Sequence, residues 1–269
     1  MKTEQIDGAT RVYGIIGDPI SAVRSPQVFN AMFARQGINA VMVALHVSAT
    51  DLAGSWAGLR NIRNLAGLVI TMPHKAAAAS LVDELGMTGQ VVGAINAARR
   101  ERSGKWLGDM FDGRGCVDGL REQGHEVACR KVFLLGLGGA GAAVAIALAE
   151  AGVTRLVVQD LDARKRDELI RHLSSIFPDV AVMVGTLHDG PFDLVINASP
   201  LGMKEGDPLP FDPAGLPRST VVVDVVTKPE VTPLLERAAS TGHATHTGRH
   251  MHLGQARGVA RFFGFTLDQ

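Results

Sequence analysis

Residues 12–16 form a short, unbroken apolar run that stops at Gly17-Asp18-Pro19, the pattern of a buried strand ended by a turn. A helix is predicted next. Ser25-Pro26 supplies a cap and an early proline, and Val28, Met32 and Phe33 recur at helical spacing until Gly37 breaks the pattern. Residues 40–45 read as a strand, 51–59 as a helix and 65–71 as another strand. This alternation predicts βα units and a mainly parallel sheet.

The pattern begins again at residues 131–135, a buried-type strand followed by GLGGAG at 136–141 and an Ala-rich helix over 142–151. Further strands are predicted at 156–159, 180–184, 194–197 and 221–225. A nucleotide-binding α/β domain over residues 116–245 accounts for this half. Residues 251–263 place Gln255, Val259 and Phe262 on a helical period, so the C-terminal helix is expected to return to the first domain. The division expected is residues 1–115, joined by 246–269, for substrate and catalysis, and 116–245 for the nucleotide.

The glycine loop satisfies G-x-G-x-x-G between a strand and a helix, where each residue has a task. Gly136 permits the tight turn, Gly138 lets the backbone approach a pyrophosphate, and Gly141 allows close packing of helix on sheet, with Gly139 and Ala140 counted among the cofactor-binding residues of the loop. The N–H groups and dipole there attract phosphate. Asp160 ends the next strand, at about the spacing where an acidic residue receives the adenosine ribose. Its carboxylate suits a 2′-hydroxyl and repels a 2′-phosphate, and Asp162 adds a second negative charge. NAD is therefore the cofactor expected, with Arg164, Lys165 and Arg166 read as the solvated first turn of the following helix.

Composition narrows the partners. The chain has 269 residues, 46% hydrophobic and 20% charged, and its 27 Lys and Arg balance 27 Asp and Glu. There is no basic surplus for nucleic acid or an anionic membrane, so a small-molecule substrate is expected, with a homodimer admitted. Cys116 and Cys129 form no CxxC pattern and read as reduced, buried thiols. The N-terminal segment has no signal-peptide pattern and no stretch reaches about 20 apolar residues, so a cytoplasmic location is expected.

Several motifs, in order and spacing, resemble the shikimate/quinate dehydrogenase family across nearly the whole chain. They are Gly17-Asp18-Pro19 with Arg24-Ser25-Pro26, Ile70-Thr71-Met72-Pro73-His74-Lys75, Gly93-Ala94-Ile95-Asn96, and Gly108-Asp109-Met110-Phe111-Asp112-Gly113. After the glycine loop come residues 196–203, INASPLGM, and Met251 with Gln255-Ala256. The resemblance implies a two-domain α/β protein, an N-terminal substrate-binding domain plus a Rossmann-type NAD-binding domain, with substrate held between them. It also implies reversible oxidation of a ring alcohol to a ketone. On matching positions, Lys75 and Asp112 are the catalytic pair, Ser25, Thr71, Asn96 and Gln255 contact substrate, and Asn197 and Met203 join the cofactor site.

The chemistry agrees with the residue types. Oxidising a secondary alcohol needs a hydride acceptor, which a dinucleotide supplies, and a group that removes or returns the hydroxyl proton, which a lysine can be. The chain departs from the family at a few positions. Val23 replaces one of two serines that hold a carboxylate, with Ser21 nearby; Val69 stands for an Asn, Met110-Phe111 for Asn-Thr, and Thr227 for a Tyr. These changes imply a cleft with fewer polar partners and more apolar bulk, less suited to a polyhydroxylated ring.

His243, His246, His250 and His252 invite a metal reading, but glycines interrupt the segment, no cysteine is near and hydride transfer to NAD needs no metal, so none is expected. His74 is expected to be structural. The competing functional class is a non-catalytic, dinucleotide-binding paralogue with a sensor or partner role. A methylenetetrahydrofolate dehydrogenase-like layout fits the Ser25-Pro26, Asn96 and Gln255 motifs poorly.

Overall fold

The computed structural model describes residues 6–21 and 23–267. Two six-stranded sheets organise the chain into two compact units. Asp112–Gln255 forms one, and the described residues up to Phe111 together with those from Ala256 form the other.

In the first unit the order is β1 (Arg11–Gly17), α1 (Ser25–Gln36), β2 (Ala40–His46), α2 (Leu52–Leu59), β3 (Leu65–Ile70), α3 (Lys75–Ala79), β4 (Glu84–Leu85), α4 (Met87–Val92), β5 (Ala97–Arg100) and β6 (Trp106–Asp109). The strands lie β2-β1-β3-β5-β6-β4. β2, β1 and β3 are parallel, whereas β5 runs antiparallel to both β3 and β6, so this sheet is mixed. Alternate side chains of β3 enter different cores, as the strand period requires. Val69 joins Tyr13, Phe29, Phe33 and Phe111 on one face, and Leu68 and Ile70 join Ile16, Trp56 and Trp106 on the other.

The second unit runs α5 (Asp112–Glu122), β7 (Lys131–Leu135), α6 (Gly139–Glu150), β8 (Arg155–Gln159), α7 (Ala163–Ile176), β9 (Ala181–Val184), β10 (Leu194–Asn197), β11 (Val221–Asp224), α8 (Pro233–Ser240), β12 (Thr245–His246) and α9 (Gly248–Phe262). Its sheet is wholly parallel in the order β12-β11-β10-β7-β8-β9, with buried runs on β7, β8 and β10. This is the doubly wound arrangement expected of a Rossmann-type domain. The chain passes from the second unit to the first within α9. Val259, Ala260 and Phe263 then complete the aromatic core of the first unit; the bounds differ from those expected, because residues 112–115 and 246–255 belong to the second unit and the chain joins the first from Ala256 onward.

Two local expectations change. Ser25 is the first residue of α1 and not its cap; Arg24 precedes the helix and makes no side-chain cap, while the proline pre-sets the first turn. Cys116 is buried and burial pushes its thiol up to about 12, but Cys129 is exposed, carried outward on a turn where its φ is 62°. Among the described residues no helix is long and apolar enough to cross a membrane.

Candidate active site

In open parallel sheets, ligands bind beyond the carboxyl ends of the strands where the order reverses. The first sheet reverses between β1 and β3. Asp18 N–H donates to Met72 O (3.0 Å) and Thr71 N–H to Ile16 O (3.0 Å), tying together the loops that leave these strands. Ser25 opens α1 after the first loop. The second turns through a His74 N–H bond to Thr71 O (3.0 Å) and delivers Lys75 as the first, half-buried residue of α3. His74 is itself buried, with its Nε2 on Val47 O at 2.8 Å, a structural arrangement.

Asn96 is the clamp of this edge. It is fully buried; its carbonyl accepts Ile70 N–H (2.8 Å), its N–H donates to Asp109 O (3.1 Å), and its side-chain Oδ1 accepts Phe111 N–H (2.9 Å). One residue thus fixes the ends of β3 and β6 and the backbone immediately before Asp112. Ser25, Thr71, Lys75 and Asn96 are gathered at one edge by topology alone.

The departures noted in the sequence fall differently from expectation. Val69, Met110 and Phe111 are all buried, and Phe111 lies with its ring centroid 5.0 Å from Phe262 of α9. Val23 packs against the same core, while Ser21 and Thr227 are exposed. The expected apolar bulk in a substrate cleft is therefore corrected: Val69 and Phe111 belong to a core that the returning helix completes, and Met110 is likewise buried.

Asp112 begins α5, is 3% exposed, and accepts a 2.7 Å hydrogen bond at Oδ1 from Gln255 Nε2. Two residues 143 positions apart, which the family resemblance assigns to one site, are thus bonded to each other. Close backbone approach makes this bond possible. A Cβ on Gly115 would lie 2.5 Å from both Gln255 N and Met251 O, so only glycine lets α5 and α9 come this near.

The second sheet reverses between β10 and β7. Gly136 leaves β7 at φ 91°, and a Cβ there would stand 2.6 Å from Ser199 N, so the turn demands glycine. Gly141 packs directly on Gly136 O, whereas Gly138 and Gly139 face open space. The first N–H groups of the twelve-residue α6 stand at that opening, a cradle that fits the pyrophosphate of a dinucleotide. Asp160 Oδ2 accepts Leu137 N–H at 2.6 Å and its Oδ1 accepts Asp162 N–H at 2.8 Å. Asp162 caps α7, and the backbone N–H groups of Lys165 and Arg164 hold its carboxyl below the usual carboxylate range. Lys165, exposed, pairs with Asp162 (3.7 Å), and Arg166, partly buried, pairs with Asp167 (2.9 Å).

Asn197 is fully buried and bonded to Leu201, Ser199 and Asp224, and Met203 is half exposed on the turn that follows. Ser199, from the INASPLGM motif, completes that network together with Asp224 and Thr232; no spacing rule marks the last two, because Asp224 meets Asn197 only when β10 and β11 pair. The histidines divide. His243 bonds Thr241 Oγ1 (2.9 Å), while the rings of His246 and His250 lie 4.8 Å apart with His125 beside His246. Among the described residues no three His, Cys, Asp or Glu side chains are grouped to hold a metal.

Residues 15–98 match the family described as shikimate dehydrogenase substrate binding domain. A shikimate dehydrogenase (NADP(+)) of Rubrobacter xylanophilus is 38% identical over 247 residues, covering 89% of this chain and 85% of that protein. Among solved structures, shikimate 5-dehydrogenase from Listeria monocytogenes, in complex with shikimate and NAD, is 30% identical with a TM-score of 0.86, covering 96% of this chain and 92% of that one. Quinate dehydrogenase from Corynebacterium glutamicum, in complex with NAD, is 30% identical with a TM-score of 0.83, covering 94% and 93%. With this identity carried across both units, the chain belongs to the shikimate dehydrogenase family of oxidoreductases.

Proposed function

We propose that this protein is an NAD-dependent dehydrogenase that interconverts a ring alcohol and its ketone on an alicyclic hydroxy acid of the shikimate and quinate class. The observation that carries the cofactor choice is the carboxylate of Asp160 at the end of β8, bonded to the glycine loop through Leu137 N–H. A 2′-phosphate brought to that position meets the negative charges of Asp160 and Asp162, whereas a 2′-hydroxyl donates to the carboxylate. The pairing of Lys165 and Arg166 with acidic neighbours supports the same reading. The Rubrobacter relative is named for NADP(+), and the Listeria and Corynebacterium structures hold NAD.

Bound dinucleotide supplies the hydride acceptor. Lys75 takes the hydroxyl proton during oxidation and returns it during reduction, and Asp112, oriented by Gln255, is its carboxylate partner. Ser25, Thr71, Asn96 and Gln255 receive the substrate's polar groups. The backbone of the glycine loop, with Asp160 and the turn from Asn197 to Met203, holds the dinucleotide. The two cysteines are free, which suits a reducing compartment, and we place the enzyme in the cytoplasm.

Initial rates with NAD and NADP on shikimate and quinate test this reading. We expect kcat/KM to favour NAD by about tenfold or more, one like-charge clash amounting to roughly 1.4 kcal/mol. Asp160→Ser with Leu161→Arg should narrow or reverse the preference. Equal kcat/KM in the unmutated protein removes the cofactor assignment, and dinucleotide binding without turnover of either acid leaves a binding paralogue.

A further inference from the structure

The carboxyl ends of β10 and β11 carry a buried network that the proposed chemistry does not use. Asn197 and Asp224 close these strands, are register partners, and are both fully buried. Asp224 Oδ1 accepts from Asn197 Nδ2 (3.1 Å) and from Val226 N–H (3.1 Å), and its Oδ2 accepts from the Thr232 hydroxyl (2.6 Å). Thr232 in turn caps α8. Burial pushes the Asp224 carboxyl up, while these three donors favour its charged form.

Asn197 is saturated. Its amide nitrogen donates to Asp224 and to Leu201 O (3.1 Å), and its Oδ1 accepts from both the N–H (3.1 Å) and the hydroxyl (2.6 Å) of Ser199. A carboxamide offers two donors and two acceptor sites, so none remains for a ligand. An asparagine at the mouth of a nucleotide site is thereby turned inward, and its bonds shape the turn from 198 to 201.

That turn touches the glycine loop directly. Ser199 N lies 2.6 Å from where a Gly136 Cβ would stand, and the Ala198 side chain 3.2 Å from where a Gly141 Cβ would stand. Backbone meets backbone with no flexible side chain between, so a displacement of Ser199 moves the loop instead of being absorbed.

We infer that Asp224 is a positioning residue for dinucleotide binding, its carboxylate holding the 198–201 turn against the glycine-rich loop through Asn197 and Ser199. This rests on the reading of the second unit as a dinucleotide-binding unit. Removing the carboxylate leaves the donors of Asn197, Val226 and Thr232 without their acceptor. An asparagine in its place keeps Oδ1 for Asn197 and Val226 and turns an amide toward Thr232, whose hydroxyl rotates to accept it.

The test is NADH affinity by fluorescence titration, with KM for NAD and for the alicyclic acid measured separately and folding checked by thermal melting. Asp224→Ala should weaken NADH binding about tenfold or more, the scale of one lost network bond, while KM for the acid stays within about twofold. Asp224→Asn should restore affinity to within about threefold of the unmutated protein. Ser199→Ala removes the hydroxyl's bonds to Asn197 (2.6 Å) and from Leu201 N–H (3.3 Å), leaving the Asp224 network in place, and should weaken NADH binding by roughly three- to tenfold even where Asp224→Ala does not fold. Unchanged NADH affinity in folded Asp224→Ala or in Ser199→Ala overturns the inference, as does an Asp224→Asn protein that binds no better than Asp224→Ala. If the unmutated protein itself binds no dinucleotide, the reading beneath falls too, and that outcome is visible before any variant is made.

Discussion

A buried side chain here often serves a different group from the one its type suggests. Asn96 and Asn197 both stand at strand ends beside proposed ligands; Asn197 directs all its side-chain bonds inward, into the Asp224 network and the turn after it, and Asn96 commits its Oδ1 to Phe111 N–H. Residue type and motif brought these positions to notice; only the neighbouring strands reveal what they bond. Phe111 teaches the same lesson. Judged by motif it intrudes on substrate, but it packs on Phe262, so Phe111→Thr should lower stability by about 3 kcal/mol in urea unfolding through the cavity it leaves. An unchanged midpoint would refute that packing role. Chemistry is concentrated on Lys75, and Lys75→Ala should reduce kcat by roughly 10²–10⁴-fold in steady-state assays with dinucleotide affinity intact, since the glycine loop belongs to the other unit. Asp112→Asn should also lower kcat. If the two act as one unit, the double variant is little worse than Lys75→Ala alone, whereas additive losses would show independent roles.

Among the elements, α5 is one that sequence patterns conceal. Its sequence DGRGCVDGLRE carries three glycines, which disfavour an isolated helix by about 1 kcal/mol each relative to alanine. Tertiary contact overrides this: Gly113 lies on the Ala143 backbone of α6, and Gly115 and Gly119 lie on the Gln255 and His250 backbone of α9. Gly115→Ala should therefore destabilise the protein by roughly 1–3 kcal/mol despite alanine's better helix propensity, and should lower kcat by disturbing the Gln255 bond to Asp112. A higher melting temperature would reverse that account. At the other end of the same contact, His246 on β12 is buried with neither ring nitrogen bonded, and burial, with His250 and His125 alongside, holds its pKa down from 6.5 to about 4. The folded state binds fewer protons than the unfolded one between those values. The resulting stability is complete above pH 6.5 and is lost as pH falls toward 4, roughly 2 kcal/mol of it by pH 5. Urea midpoints should accordingly fall less between pH 7 and pH 5 in His246→Phe than in the unmutated protein; parallel curves would acquit His246.

At the scale of the whole molecule, the strands that sequence reading found are those with continuous apolar runs, such as β3, β7 and β10, which owe their pattern to burial on both faces. The hairpin of β5 and β6 escaped because Arg99 and Arg100 interrupt its apolar pattern. Their guanidinium groups lie over the rings of Phe262 and Trp106 at 4.6 and 5.1 Å, contacts that no local pattern announces. The glycine loop, Asp160 and the motif residues were visible because their chemistry is local; the mixed sheet and the Asp224 network were not, because they depend on which strands become neighbours. The passage of α9 from one unit to the other has a consequence for the order of events during synthesis. Tyr13, Phe29 and Phe33 are made early, but the Val259, Phe263 and Phe265 side chains that cover them are made late, and Gln36 meets Thr266 across 230 positions. At about 5–20 residues per second, that aromatic surface waits roughly 10–50 s on the ribosome before its cover emerges. A translating chain stalled before Val259 should thus be cut by protease within residues 11–46 while the completed chain resists, and the newly made N-terminal half is the part most in need of a chaperone.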